Sequence, residues 1–274
     1  MTWYLTDDVE AFRAAAHSFL AADPARNTVL LTLSEGARDG HWPGARFGWW
    51  TGPGGPAVGG AYVQTPGMPP VLGTMPDGAA RELAGALRGE MPVGVNGATA
   101  TALAFGEAWG RYRVDREERL FRLAELAEPA PTLGRARLAT EADLPLVTAW
   151  MTAFLDELAL PPGLGAAAAA ARRTAAGQLV LWETEEGPVS LAAASGVLAG
   201  QSRIGPVYTP PALRGRGFAA VATAAATRLA LGWGAEQVVL FTDLANPTSN
   251  ALYQRLGYRR VQDLLVLDFT GGGD

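Results

Sequence analysis

Apolar and polar positions follow two rhythms along this chain, and the order of those rhythms repeats. Leu5-Thr6-Asp7-Asp8-Val9-Glu10-Ala11-Phe12 reads as a short strand, an acidic cap and an amphipathic helix, and Leu138-Ala139-Thr140-Glu141-Ala142-Asp143-Leu144-Pro145 reads the same way. Strand-like runs bounded by Gly and Pro turns then predict hairpins, at 47–51 and 57–64 in the first half and at 179–184 and 188–197 in the second. A strand at 71–74 with a helix near 78–88 is matched by a strand at 202–208 with a helix near 217–231. Each half closes with strand, helix and strand, at 92–95, 98–109 and 118–123 against 237–244, 247–256 and 259–269. Two mixed α/β halves follow, each a central mixed sheet flanked by helices.

The proline-rich stretch 129–134 lies near the midpoint, so the expected domains are 1–128 and 135–274 with a linker at 129–134. The alanine run 165–173 reads as a surface helix.

Composition narrows the class. With 49% hydrophobic and 18% charged residues the chain is able to bury a sizeable core. It contains no cysteine, which excludes disulfides and thiolate chemistry and suits the cytoplasm. The start lacks the pattern of a signal peptide and no run is apolar enough to span a membrane, so neither export nor membrane insertion is expected. A net charge of −5 argues against general nucleic-acid binding, which needs a basic field. His17 and His41 are isolated, and no metal is assigned.

The most informative segment is Val207-Tyr208-Thr209-Pro210-Pro211-Ala212-Leu213-Arg214-Gly215-Arg216-Gly217-Phe218-Ala219. The prolines stop a strand, and Gly215 and Gly217 allow positive φ and close approach to a ligand. The helix that follows offers unpaired N–H groups and the positive end of its dipole, while Arg214 and Arg216 add charge, an arrangement suited to a diphosphate. About 30 residues on, Asn246 to Tyr258 is punctuated as a short helix, with Asn246 at the cap, Pro247 at the first position and Gly257 at the stop. Asn246 and Tyr253 lie two turns apart on one side of it, and Leu252 and Leu256 form a buried stripe. Plain capping and core packing account for Asn246 and Tyr253 singly; the pairing with the phosphate turn favours a site.

Those two segments resemble the GNAT superfamily, whose signature is Gln/Arg-x-x-Gly-x-Gly/Ala followed by Asn-x-x-Ala/Ser-x-x-x-Tyr-x-x-x-Gly-Phe/Tyr. Arg214, Gly217 and Ala219 fit the first part, and Asn246, Ser249, Tyr253, Gly257 and Tyr258 fit the second. The resemblance covers roughly residues 135–270. It implies an acetyl-CoA-dependent N-acyltransferase in which Val207, Tyr208 and Thr209 splay from the neighbouring strand to pair with pantetheine. The segment Arg214, Gly215, Arg216, Gly217, Phe218 and Ala219 would hold the pyrophosphate, Asn246 would touch the pantetheine arm, and Asn250 joins the cofactor contacts. Tyr253 would sit beside sulfur as general acid. A phenol suits that role, because its reference pKa of about 10 exceeds the thiol's of about 8.5. Glu183 is the candidate base, with Asp243 and Glu157 as other carboxylates within the same half. The acceptor is expected to be an amine of a small molecule or protein, and the chain a monomer or homodimer. The alternative is a non-catalytic acyl-CoA-binding regulatory module.

The first half departs from this pattern. Its counterpart turn, Val71 to Arg81, lacks the paired arginines and carries Asp77, and its last helix has no matching tyrosine. It reads as a degenerate repeat that helps shape an acceptor cleft, where Trp42, Trp49, Trp50, Trp150 and Trp182 are candidate lining residues.

Overall fold

The structure is a computed structural model that describes residues 2–90, 92–158 and 165–269. The elements run β1 (Thr2–Thr6), α1 (Val9–Ala22), α2 (Thr28–Arg38), β2 (Arg46–Thr51), β3 (Val58–Gln64), β4 (Val71–Leu72), α3 (Asp77–Ala86), β5 (Gly94–Ala98), α4 (Thr99–Trp109) and β6 (Tyr112–Leu123). They continue with β7 (Arg135–Leu138), α5 (Leu144–Glu157), α6 (Ala166–Ala175), β8 (Leu179–Thr184), β9 (Gly187–Ala194), β10 (Gln201–Tyr208), α7 (Phe218–Gly232), β11 (Gln237–Asp243), α8 (Pro247–Arg255) and β12 (Tyr258–Phe269). Two compact units form. One takes the chain up to Leu120, Thr242–Pro247 and the chain from Arg260; the other takes Phe121–Phe241 and Thr248–Arg259.

Both units repeat one pairing scheme. In the first, β1, β2, β3 and β4 pair antiparallel in succession and β4 pairs β5 in parallel. In the second, β7, β8, β9 and β10 pair antiparallel and β10 pairs β11 in parallel. β5 gains a further antiparallel neighbour, because Leu264 to Asp268 of β12 align with Ala98 to Gly94.

Period-two alternation buries both faces of each sheet. In the second unit Leu179, Leu181, Leu191 and Ala193 face Val147 and Met151 of α5 and Ala170 of α6. The intervening Val180, Ala192 and Ala194 face Ala222, Ala226 and Ala230 of α7 together with Tyr253 of α8. Small alanines on α7 let that helix lie close to the sheet, which fixes where its N-terminus falls.

Of the two acidic caps read from the sequence, the one at Asp8 is formed, whereas Asp143 makes no side-chain cap bond to α5 and instead completes a capping box with Thr140. Asp8 accepts from the N–H groups of Glu10 (2.8 Å) and Ala11 (3.1 Å) at the start of α1. Asp143, before α5, accepts from the N–H (2.8 Å) and hydroxyl (2.9 Å) of Thr140 and from both terminal nitrogens of Arg137 (2.7 and 2.8 Å). Arg137 beside it, with Thr140, holds the Asp143 carboxyl well below the usual carboxylate range. Where α8 gives way to β12, Gly257 has φ of 93° and a Cβ there would lie 1.8 Å from the Glu125 carbonyl oxygen. Its own carbonyl accepts from Ala124 (3.1 Å).

Asp143→Ala should lower unfolding free energy by about 1–3 kcal/mol in denaturant titrations at neutral pH. A carboxyl depressed in the folded state contributes stability above its unfolded value, so the difference from wild type should shrink as pH falls through the acid range. Gly257→Ala combines an unfavourable φ with a backbone clash and should cost more than about 2 kcal/mol, read from the same titrations.

Candidate active site

The parallel ladder between β10 and β11 runs from Gln201↔Gln237 to Ile204↔Leu240 and stops. On its other side β10 shifts register against β9 between Ile204↔Ala194 and Val207↔Ala192, so β10 carries one extra residue there. Such a bulge bends a strand and re-aims its main chain. Gly205 to Tyr208 therefore continue β10 past the end of its ladder with β11, and these are residues from which strand-like pairing with an extended ligand is available.

The far end of β10 is tied down by a residue that sequence reasoning passed over. Ser190 of β9 is buried, and its hydroxyl donates to the Tyr208 carbonyl (3.1 Å) and meets the Thr209 hydroxyl (2.9 Å). Its signal in the sequence is a lone hydroxyl inside the apolar run Val189 to Ala194. Tyr208 itself turns to the opposite face and packs against Trp150 of α5, with ring centroids 6.2 Å apart. Among the five tryptophans named as cleft candidates, Trp150 thus contacts an expected cofactor residue. Trp182 donates to the Leu133 carbonyl (2.9 Å), Trp50 donates to Glu82 (2.9 Å), Trp49 stacks on Tyr4, and Trp42 lies beside Gly36.

After β10, a short 3-10 turn at Pro211–Leu213 leads into Arg214, Gly215, Arg216 and Gly217. Gly215 and Gly217 have φ of 78° and 81°, in the left-handed region that favours glycine, and the space where a Gly215 Cβ would stand is open. The first bonds of α7 run from Ala220 (3.0 Å) and Val221 (3.3 Å) back to the Gly217 carbonyl, so the amides before them belong to the open end of the helix. Phe218 is buried and anchors that end, while Arg216 is exposed and Ala219 half-buried. This is the geometry that suits a diphosphate.

Arg214 does not simply project into solvent. Its Nε donates to the Thr209 carbonyl (2.9 Å), its Nη2 to Glu157 at the end of α5 (2.5 Å), and the guanidinium lies 5.9 Å from the centre of the Tyr208 ring. The arginine clasps the strand end that precedes it.

Tyr253 enters from α8 and shares one buried cluster with Ile204, Val207, Ala220, Ala222 and Leu252. The strand end, the head of α7 and α8 thus meet in a single core. Tyr253 is only 8% exposed and packs edge-on against Tyr258, centroids 6.2 Å apart. Burial pushes its phenol up to about 12. Asn250 stands half-buried one turn earlier on α8, and Ser249 likewise. Asn246 is exposed, donates its N–H to the Asp243 carbonyl (3.1 Å), and belongs by its contacts to the first unit. Asp243 accepts the Ala245 N–H on its side chain (2.7 Å). Glu183, the expected base, lies on β8 and accepts from Arg137 Nε (2.9 Å); β9 lies between its strand and β10.

The first unit builds the counterpart region differently. β4 is two residues long and pairs β5 only through Val71↔Asn96. A Cβ on Gly97 would lie 3.2 Å from the Leu72 Cβ, and Leu72 and Met75 are both buried. The following helix begins at Asp77, whose charge opposes an anion at that end.

Among the described residues no helix is long and apolar enough to cross a membrane. No curated protein matches the chain by sequence. Solved structures do match over its length. A GNAT-family acetyltransferase from Colwellia psychrerythraea superposes with a TM-score of 0.63 at 12% identity, covering 98% of this chain and 100% of its own. A GCN5-related N-acetyltransferase from Sphaerobacter thermophilus gives 0.64 at 17% identity, with coverages of 99% and 97%. A tandem GNAT protein from the clavulanic acid biosynthesis pathway gives 0.58 at 12% identity, and each chain is covered completely. At these identities the superpositions establish the fold, a tandem arrangement of two GNAT-like halves. Residues 140–258 also match the acetyltransferase (GNAT) family by sequence. By sequence, residues 140–258 therefore form an acetyltransferase (GNAT) family domain.

Proposed function

We propose that this protein transfers an acetyl or short acyl group from acetyl-CoA to a primary amine, by direct attack within a ternary complex in the cytoplasm. We assign 135–274 as the catalytic half, 129–134 as the linker and 1–128 as a degenerate half without the cofactor motif. The reading is carried by one observation: the end of the β10–β11 ladder, the open head of α7 and the Tyr253 phenol are built from one core.

Coenzyme A fits these residues. Its pantetheine amides find extended main chain at Val207, Tyr208 and Thr209, and its diphosphate finds the amides and glycines of 214–219. Asn246 and Asn250 complete the cofactor contacts from α8. Attack by the amine places negative charge on the thioester oxygen, where an oriented backbone N–H of β10 stabilises it. The departing thiolate takes a proton from Tyr253, which burial keeps protonated throughout the physiological range. The ammonium of the acceptor loses its proton to water or to Glu183, whose contact with Arg137 has to open first.

Tyr253→Phe should reduce the chemical step on the order of a hundredfold or more, measured as free-thiol release from acetyl-CoA with a panel of amines. Unchanged turnover would remove Tyr253 as the acid. Tight acyl-CoA binding with no thiol release across the panel would instead support a non-catalytic binding module. In an ultraviolet phenolate titration, the wild-type minus Tyr253→Phe difference should ionise near pH 12, well above the reference value of a free phenol of about 10. Because the folded value is raised, the linked stability is present below about pH 10 and is lost as pH rises towards 12, amounting to about 2–3 kcal/mol relative to the phenylalanine variant.

A further inference from the structure

We propose that Glu157 is the counter-ion with which the diphosphate of coenzyme A competes for Arg214, so that this carboxylate sets cofactor affinity. The inference rests on the cofactor-turn assignment above and concerns a residue outside the motif. Glu157 Oε1 lies 2.5 Å from Arg214 Nη2. A guanidinium has five donors in a fixed fork, and here the Thr209 carbonyl takes Nε and Glu157 takes one position on Nη2, while the Tyr208 ring lies against the group. The charge that Arg214 offers an anion is thereby countered before any ligand arrives, while Arg216 of the same turn stands exposed.

The placement of Glu157 runs against helix electrostatics. It is the last residue of α5, preceded by Asp156, and the last turn of that helix holds no basic residue. Carboxylates at the negative end of a helix are unfavourable. Arg214 offsets this, and the pair is open to water, with side chains 48% and 45% exposed. An exposed pair of this kind is held weakly and yields readily to a competitor of higher charge. A diphosphate bound beside Arg214 would also repel the carboxylate at short range. The end of α5 does not depend on the ion pair for its position. Trp150, two turns earlier on the same side of α5, packs against Tyr208 and fixes the helix to the strand end.

Calorimetric titration of coenzyme A into the full chain tests this, with wild type, Glu157→Gln, Arg214→Gln and the double variant compared at low salt. Glu157→Gln should tighten coenzyme A binding about two- to fivefold. The gain should disappear in the Arg214→Gln background and in high salt, and pantetheine, which lacks the diphosphate, should bind wild type and Glu157→Gln alike. Binding to Glu157→Gln that is unchanged or weaker would overturn the proposal, as would an equal gain without Arg214 or an equal gain for pantetheine. Glu157→Ala, which removes the same charge, should reproduce the tightening if the glutamine variant fails to fold. Failure of the wild-type chain to bind coenzyme A at all would count against the acyltransferase assignment rather than against the role of Glu157 within it.

Discussion

Past Ile204 the inner edge of β10 runs on after its ladder with β11 has ended, and the extra residue between Ile204 and Val207 is what turns that edge away from its neighbours. Main-chain N–H and C=O groups that sheet pairing does not use need another partner. Most features of the second unit either create that edge or keep it in place. Ser190 and Thr209 lock the strand end, Trp150 braces it from one face, and Val207 packs with Tyr253 on the other. The alanine-rich face of α7 brings the head of that helix close to the same point. The first unit repeats the strand order, yet its counterpart turn leads into a helix headed by Asp77 rather than by paired glycines and arginines. Two halves with one topology thus differ in the charge and backbone they place at the head of that helix.

Main-chain recognition, in the function proposed, accounts for why a few motif residues are enough to mark the domain. Gly215 and Gly217 act through backbone conformation, Phe218 through burial, and Tyr253 through a phenol enclosed by apolar neighbours. None of these roles specifies an acceptor. The acceptor is therefore the property least constrained by the elements that define the fold.

Much of the architecture was legible because period and punctuation agree locally. The strand at 179–184 and the helices at 218–232, 99–109 and 247–255 fall within a residue or so of their predicted limits, since alternation, alanine runs and Asn-Pro or Gly stops mark them. The acidic cap at Asp8 was legible for the same reason. α2 was not, and Asn27, the N-cap residue before it, makes no side-chain cap bond. β6 begins at Tyr112 rather than near 118, because in its first part Arg113, Asp115, Arg116 and Glu117 leave only Tyr112 and Val114 as apolar positions. Long-range partners were beyond reach in principle. Nothing local to Leu264–Asp268 announces pairing with β5, and nothing in Glu157 or Ser190 announces Arg214 or Tyr208. Conversely, Arg214 was read as a phosphate ligand from charge alone, whereas its bonds to Thr209 and Glu157 make it also the clasp of the turn.

The most direct test of this account is a crystal structure of the protein with coenzyme A. The account predicts pantetheine paired with the β10 main chain beyond Ile204, the diphosphate on the amides between Gly215 and Ala219, and the sulfur within hydrogen-bonding reach of the Tyr253 hydroxyl. Coenzyme A bound elsewhere, or bound in that crevice with the Tyr253 hydroxyl turned into the core and away from sulfur, would contradict it.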